Sequence, residues 1–281
     1  FAERGPMCSR SSMPLLLALL LAVASGLRIP QQAPLMNRRT CLTGVLSAAT
    51  LPLLGAPFAA EAAEEDVEVY FGCGCFWHVQ HEFSEAERTI LGRGDMELTA
   101  YAGYAGGTRG SDNGKVCYHN ALQVADYGKL GHAEAVGMTL PASKFGLVAE
   151  EYCKLFSKDG ARPDQLGDRG LEYRNVVGIP GGVKSPLAKE LVEASVRQGD
   201  KLDFAAGKGD DADRRGLVWI YDTKEFPFYL GEVYHQFHDG FAFGEDYPKS
   251  YNSLAAKKVK AGQLRDAGCP NGMMGIGIAG L

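Results

Sequence analysis

The stretch from Val67 to Ile90 constrains the fold of this chain more than any other. Val67 to Phe71 runs Val-Glu-Val-Tyr-Phe, a near-alternation that predicts a strand entering a core. Gly72 and Gly74 then permit a tight, close-packed turn, because glycine reaches backbone conformations closed to other residues. From Phe76 the apolar positions Phe76, Val79, Phe83, Ala86 and Ile90 keep the three-four spacing of one helix face. Strand, turn and helix follow one another directly, and Cys75 falls at the first position of the helix.

That placement has a chemical consequence. Unpaired N–H groups and the positive end of the helix dipole favour an anion at a helix N-terminus, so a thiolate there is expected to have a lowered pKa. Cys75 is the leading candidate nucleophile, with the exposed aromatic pair Phe76 and Trp77 beside it. The plain alternative is a buried small hydrophobe, as most free cysteines are.

The first 62 residues read as an address and not as part of a fold. They carry five Arg, no Lys and two Glu, a net charge of +3, which leaves the other 219 residues at −8. Arg4 and Arg10 precede the apolar run Leu15 to Ala24, with Ser25 and Gly26 after it, as in a signal peptide. Arg38 and Arg39, the weakly apolar stretch Leu42 to Phe58 and the small-x-small site Ala60-Glu61-Ala62 repeat the design in twin-arginine form. Two export signals in series resemble the bipartite leaders of proteins sent to the thylakoid lumen of complex plastids; one signal followed by an apolar linker is the alternative. The body, residues 63–281, is then an acidic single domain, too acidic for phosphate-backbone binding, so no nucleic-acid partner is expected. It has no apolar run long enough for a spanning helix, so the mature protein is not expected to cross a membrane. A monomer is expected.

Seven cysteines stand at 8, 41, 73, 75, 117, 153 and 269, five of them in the body. An odd number in an exported chain leaves at least one free thiol unless pairing is intermolecular. Cys73, Cys75, His78 and His81 have the residue types of a zinc site but crowd into nine residues, where structural zinc sites split two close pairs across a longer loop. No metal is expected.

His132 to Leu140 reads His-Ala-Glu-Ala-Val-Gly-Met-Thr-Leu, and period-two counting puts Glu134 on the face of Val136, Met138 and Leu140. A carboxyl group buried there would keep its proton towards neutral pH and serve as a general acid; a glutamate at a strand end still reaching water is the alternative. Asp168, Glu172, Tyr173 and Arg174 precede a strand over Asn175 to Ile179. Glu232, Tyr234, His235 and Gln236 follow an aromatic strand over Phe226 to Tyr229. Either cluster is a solvated polar segment or a source of tyrosine hydrogen bonds to a polarised oxygen.

Five motifs occur in one order: Gly74-Cys75-Phe76-Trp77, Gly103-Tyr104-Ala105-Gly106-Gly107, Gly131-His132-Ala133-Glu134-Ala135-Val136, Asp168-Arg169-Gly170 with Tyr173-Arg174, and Tyr234-His235-Gln236. In this the chain resembles the peptide methionine sulfoxide reductases of type A, from about Val67 to Gln236. The resemblance implies an α+β fold, a single domain with a mixed sheet flanked by helices and an irregular glycine-rich C-terminal tail at 262–281. It implies reduction of the S epimer of methionine sulfoxide, free or in oxidised proteins and peptides, with Cys75 attacking sulfur and Glu134 protonating the departing oxygen. Phe76 and Trp77 would hold the substrate methyl, with His132 also in the substrate site, and Asp168 and Tyr173 would bind the sulfoxide oxygen. Cys75 becomes a sulfenic acid, which a second thiol closes to a disulfide. No bound cofactor is implied, only an external thiol reductant such as thioredoxin or a dithiol.

The chain also departs from that pattern. The family's Tyr ten residues before His132 is Leu122 here, so one donor to the sulfoxide oxygen is absent unless Tyr118 or Tyr127 supplies it from a shifted loop. His78 replaces a Gly after the Trp, Cys73 a Gly two before the nucleophile, and Glu172 the usual Gln. Cys269, in the tail Gly268-Cys269-Pro270-Asn271-Gly272, is the favoured resolving cysteine, with Cys73 and Cys117 as alternatives; Cys153 reads as core on a helix from Ser143 to Ser157. The GxGxxG string Gly275 to Gly280 has no helix after it and is no dinucleotide site. Leu122 keeps two other classes open: a thiol redox sensor or peroxide scavenger, and a non-catalytic module that binds oxidised methionine.

Overall fold

The computed structural model describes residues 64–108, 110, 114–239 and 247–270. The leader and the Gly275–Gly280 string lie outside the described residues.

Among the described residues one mixed sheet of seven strands organises the chain: β1 (Asp66–Gly72), β2 (Tyr101–Ala105), β3 (Ala133–Pro141), β4 (Val176–Ile179), β5 (Asp203–Ala206), β6 (Leu217–Asp222) and β7 (Tyr229–Leu230). Their order across the sheet is β5-β6-β4-β1-β3-β2-β7. The β4–β6 and β5–β6 pairs are parallel, the others antiparallel. The helices are α1 (Phe76–Leu91), α2 (Phe145–Lys154), α3 (Pro186–Arg197) and the short α4 (Lys249–Asn252) and α5 (Leu254–Lys260).

Period-two patterning divides the sheet into two faces. Val69 and Phe71 of β1, Val136, Met138 and Leu140 of β3 and Val177 and Ile179 of β4 are buried with Val79 and Phe83 of α1, Val148 and Tyr152 of α2 and Leu187 and Leu191 of α3. The alternate residues Tyr70, Ala133, Ala135 and Val176 join Tyr221, Trp219, Phe226 and Phe228 in a second cluster. The three long helices therefore share one face, and an aromatic segment covers the other. That segment corrects the sequence expectation of a strand over 226–229: only Tyr229 and Leu230 pair, with Tyr104 and Gly103 of β2. The helix expected over 143–157 is α2, shorter at both ends, and Cys153 on it is buried as core.

β1 and α1 are joined by two glycines with separate duties. A Cβ on Gly72 would lie 2.4 Å from the Glu134 carbonyl oxygen and 2.8 Å from Val176 Cγ2, so only glycine lets β1 pass this close to β3 and β4. Gly74 has φ +84°, which reverses the chain into the helix. At its other end α1 stops at Gly92, left-handed at φ 68°.

Candidate active site

Cys75 is the N-cap of α1, one position before the helix proper. Its own N–H donates to Gln165 Oε1 at 2.9 Å, and the Gly74 N–H donates to the Tyr173 carbonyl at 3.1 Å. The next donor along, Phe76 N–H at the first helical position, reaches Glu134 Oε2 at 2.9 Å. The end of one helix thus holds the cysteine and the carboxyl group side by side.

Glu134 lies on the β3 face that carries Val136, Met138 and Leu140, and only 2% of it is exposed. Burial raises its pKa to about 8, against the downward pull of the Phe76 and Tyr127 hydrogen bonds. At neutral pH it is mainly a carboxylic acid, and the strand-end alternative is excluded. For Cys75 the expectation of a lowered pKa is overturned. Burial, then the neighbouring Glu134, push the thiol well up and outweigh the Trp77 and His78 backbone N–H groups that favour the thiolate. The resting pair is thiol and acid, both protonated.

Asp168 and Tyr173 reach this pair through space. Burial raises the Asp168 carboxyl, and burial followed by the charge of Glu134 raises the Tyr173 hydroxyl. A residue with no signal in the sequence holds their loop: buried Arg162 donates to the Asp168 carbonyl at 2.6 Å, to the Tyr173 carbonyl and to Asn175 Oδ1 at 2.9 Å. Gln165 was equally invisible, because both side chains act through backbone groups that no motif encodes.

The aromatic wall differs in part from the expected exposed pair. Phe76 is fully buried and only Trp77 is partly open. Phe76 packs 5.1 Å from His235 and 6.4 Å from Tyr118, and Trp77 packs 4.1 Å from His238 and 6.3 Å from Tyr234 between ring centroids. Burial drives the His235 pKa down to about 3, so its ring is neutral. His132 is buried at the start of β3, where its Nδ1 accepts from Gly107 N–H at 3.1 Å and its ring meets Tyr229 edge-on at 5.2 Å.

Leu122 is 73% exposed and points away from any core. The segment around it folds back on itself: Cys117 N–H donates to the Ala125 carbonyl and Tyr127 N–H to the Cys117 carbonyl, both at 2.8 Å. The turn stacks Tyr118 on Tyr127 with centroids 5.7 Å apart. Tyr127 donates to Glu134 Oε1 at 3.3 Å, and Tyr118 is close enough for the charges of Glu134 and Cys75 to raise its pKa after burial itself. Both substitutes named from the sequence are therefore at the site.

Cys117 and Cys269 form a disulfide with Cα atoms 5.6 Å apart. Among the described residues Cys73, Cys75 and Cys153 are free, and burial pushes Cys73 up to about 12. The disulfide lies beside Glu232, whose carboxylate accepts from Tyr118 N–H at 2.8 Å and from the Tyr104 hydroxyl at 2.7 Å. Tyr118 therefore bridges the disulfide and the aromatic wall. The Cys117, Glu232 and Cys269 ligand atoms lie within 4.8 Å of one another, but the two sulfurs are spent on each other.

No family model matches the chain. It is 27% identical to peptide methionine sulfoxide reductase MsrA 2 of Caulobacter vibrioides, over 79% of this chain and 93% of that protein. It is 28% identical to peptide methionine sulfoxide reductase MsrA of Maricaulis maris, over 74% of this chain and 82% of that one. A solved structure, methionine sulfoxide reductase A of Corynebacterium diphtheriae, is 20% identical, covering 61% of this chain and 72% of that chain at TM-score 0.37. With five motifs in order and near full-length relatives of one name, the chain is similar to the peptide methionine sulfoxide reductases of type A over most of its length.

Proposed function

We propose that this protein reduces the S epimer of methionine sulfoxide, free or within oxidised proteins, to methionine. The observation that carries the reading is the pairing, at one helix N-terminus, of a cysteine with a carboxyl group that keeps its proton up to about pH 8. A sulfoxide oxygen leaves only once protonated, and a buried acid beside a soft nucleophile meets that need. Cys75 releases its proton to solvent, its sulfur gives an electron pair to the sulfoxide sulfur, and Glu134 protonates the oxygen. The substrate sulfur gains two electrons, methionine departs, and Cys75, oxidised by two electrons, holds the oxygen as a sulfenic acid. Trp77 lines the place of the substrate methyl with buried Phe76 packed behind it, and Tyr173, Asp168 and the two tyrosines of the folded-back turn surround the oxygen. His132, the remaining residue of the set, is held at the start of β3 by the Gly107 N–H.

Recycling needs a second thiol. We assign it to the Cys117 and Cys269 pair: the sulfenic acid condenses with one of their thiols, releasing water, and the other thiol opens that disulfide to give the Cys117–Cys269 bond. An external dithiol such as thioredoxin then reduces it. The leader supports residence in a plastid, in the thylakoid lumen, and a mature N-terminus near Ala63 is the check.

Turnover of separate S and R sulfoxide epimers with dithiothreitol tests the reading. Conversion of the S epimer by the wild type and none by Cys75→Ser is expected, and hydrogen peroxide consumption without sulfoxide turnover would favour a peroxide scavenger instead. For recycling, Cys269→Ser should leave a single turnover intact and remove thioredoxin-driven turnover. Normal thioredoxin kinetics would return the role to Cys73 or to Cys117 acting alone.

A further inference from the structure

Glu134 is closed off from water, yet each catalytic cycle takes its proton. Behind it, away from Cys75, lies an unbroken line of acid–base groups. Tyr127 Oη is 3.3 Å from Glu134 Oε1 and 3.4 Å from Glu172 Oε2. Glu172 Oε2 is 3.1 Å from His119 Nε2, and His119 Nδ1 is 2.9 Å from Asp126 Oδ2. The two tyrosine contacts are long, as acid–base contacts often are before substrate binds. The inner groups are closed off, Glu134 at 2% and Tyr127 at 0% exposure, and the outer ones open to solvent, with side-chain values of 33% at Glu172 and 39% at His119.

We propose that His119, Glu172 and Tyr127 form a proton relay that refills Glu134 from water. This rests on the assignment of Glu134 as the general acid. When Glu134 is left as a carboxylate, Tyr127 passes its hydroxyl proton to Oε1 as its oxygen takes a proton across the Glu172 carboxylate. Glu172 Oε2 is resupplied from the Nε2–H of the His119 imidazolium, and water or a buffer acid reprotonates His119. One proton enters from solvent, no electron moves, and it balances the proton that Cys75 releases earlier in the cycle.

The surroundings of His119 suit the task. Burial works against its charge, but the hydrogen bonds and charges of Asp126 and Glu172 raise its pKa from the ordinary histidine value. The groups facing it are Asp126, Glu172 and the Tyr118 and Tyr127 rings at 5.2 and 4.7 Å. Asp126 Oδ1 is held in turn by the Lys129 N–H at 3.1 Å, which fixes the carboxylate and with it the imidazole ring. The relay also gives a reason for Glu172: a glutamine there would hydrogen-bond but could not carry a proton.

The test is kcat for the S epimer at saturating dithiothreitol in wild type, His119→Ala and Glu172→Gln. Both variants are expected to lose about tenfold or more, within the ordinary range of a general acid–base contribution, while the first methionine still forms at the wild-type rate. Added imidazole should restore His119→Ala and leave Glu172→Gln slow, a pattern that a packing role would not produce. Wild-type kcat in Glu172→Gln, or a His119→Ala rate that imidazole does not move, overturns the relay while leaving the reductase assignment standing. Absence of S-epimer turnover in the wild type overturns both. Glu172→Gln keeps the shape of the side chain, so a poorly folded His119→Ala does not spare the proposal.

Discussion

At the residue scale, the chemistry of this site comes from moving two protons to unusual places. Glu134, with an ordinary pKa of 4.5, holds its proton to about 8, because the charged form has little water and only two hydrogen bonds to support it. Because Cys75 must be deprotonated and Glu134 protonated, the single-turnover rate is expected to rise with pH from 6 as the thiolate forms and to level off as Glu134 ionises through about 8; stopped-flow methionine release across that range is the check. Glu134→Gln should lower the same rate at pH 7 by about 10²- to 10⁴-fold, the usual weight of a general acid. The sign for stability follows from the same shift. The folded chain keeps a proton that the unfolded chain releases, so this contribution is complete below about 4.5 and is lost as pH rises towards about 8. Leu122 gives the contrasting case. Its side chain is in solvent, and Leu122→Tyr is expected to change stability by less than about 0.5 kcal/mol and the rate by no more than about twofold. A large gain in rate would mean that Tyr118 and Tyr127 do not cover the missing position.

At the scale of elements, the site depends on how closely β1, β3 and the start of α1 approach one another. Gly72 decides that distance. A methyl group there would press on the Glu134 carbonyl and on Val176, and Gly72→Ala is expected to cost about 1–3 kcal/mol by overpacking. It should also reduce activity more than urea melts alone would explain, because the displaced backbone carries the acid. Phe71, two positions from the cysteine turn on the same strand, stacks on Phe83 at 4.7 Å and meets Tyr152 at 5.4 Å. Phe71→Ala is expected to lower stability by about 3–5 kcal/mol, read from denaturant midpoints. The tail end of α1 is pinned differently. Buried Glu87 accepts from the backbone N–H groups of Thr99 and Ala100 and pairs with Arg93 at 2.5 Å, which ties the helix to the approach of β2.

Across the whole molecule, segments far apart in sequence meet at one helix end. The Cys117–Cys269 disulfide joins residues 152 positions apart and brings the chain after α5 against the turn that carries Tyr118 and Tyr127. Its reduction is expected to lower unfolding stability by about 2–4 kcal/mol, seen as a shifted thermal midpoint with dithiothreitol. A midpoint that stays put would indicate that α5 and the Lys115–Gly268 contact at 2.9 Å already hold the tail.

The strand, turn and helix from β1 to α1 were legible in the sequence because periodicity and glycine act over a few residues. The parity of Glu134 with Val136 and Met138 was legible for the same reason, and the resemblance to the reductases was legible from motif order. What the tertiary structure decided was everything that depends on neighbours from elsewhere in the chain. Helix position alone argued for a lowered Cys75 pKa, but the burial and the Glu134 charge that reverse it come from β3, some sixty residues on. Gln165, Arg162 and the His119–Glu172–Tyr127 line have no periodic or motif signature, since each side chain matters only through the partner it meets. Hydrogen bonding and desolvation are set by distance in space, and no local pattern in this sequence records those distances.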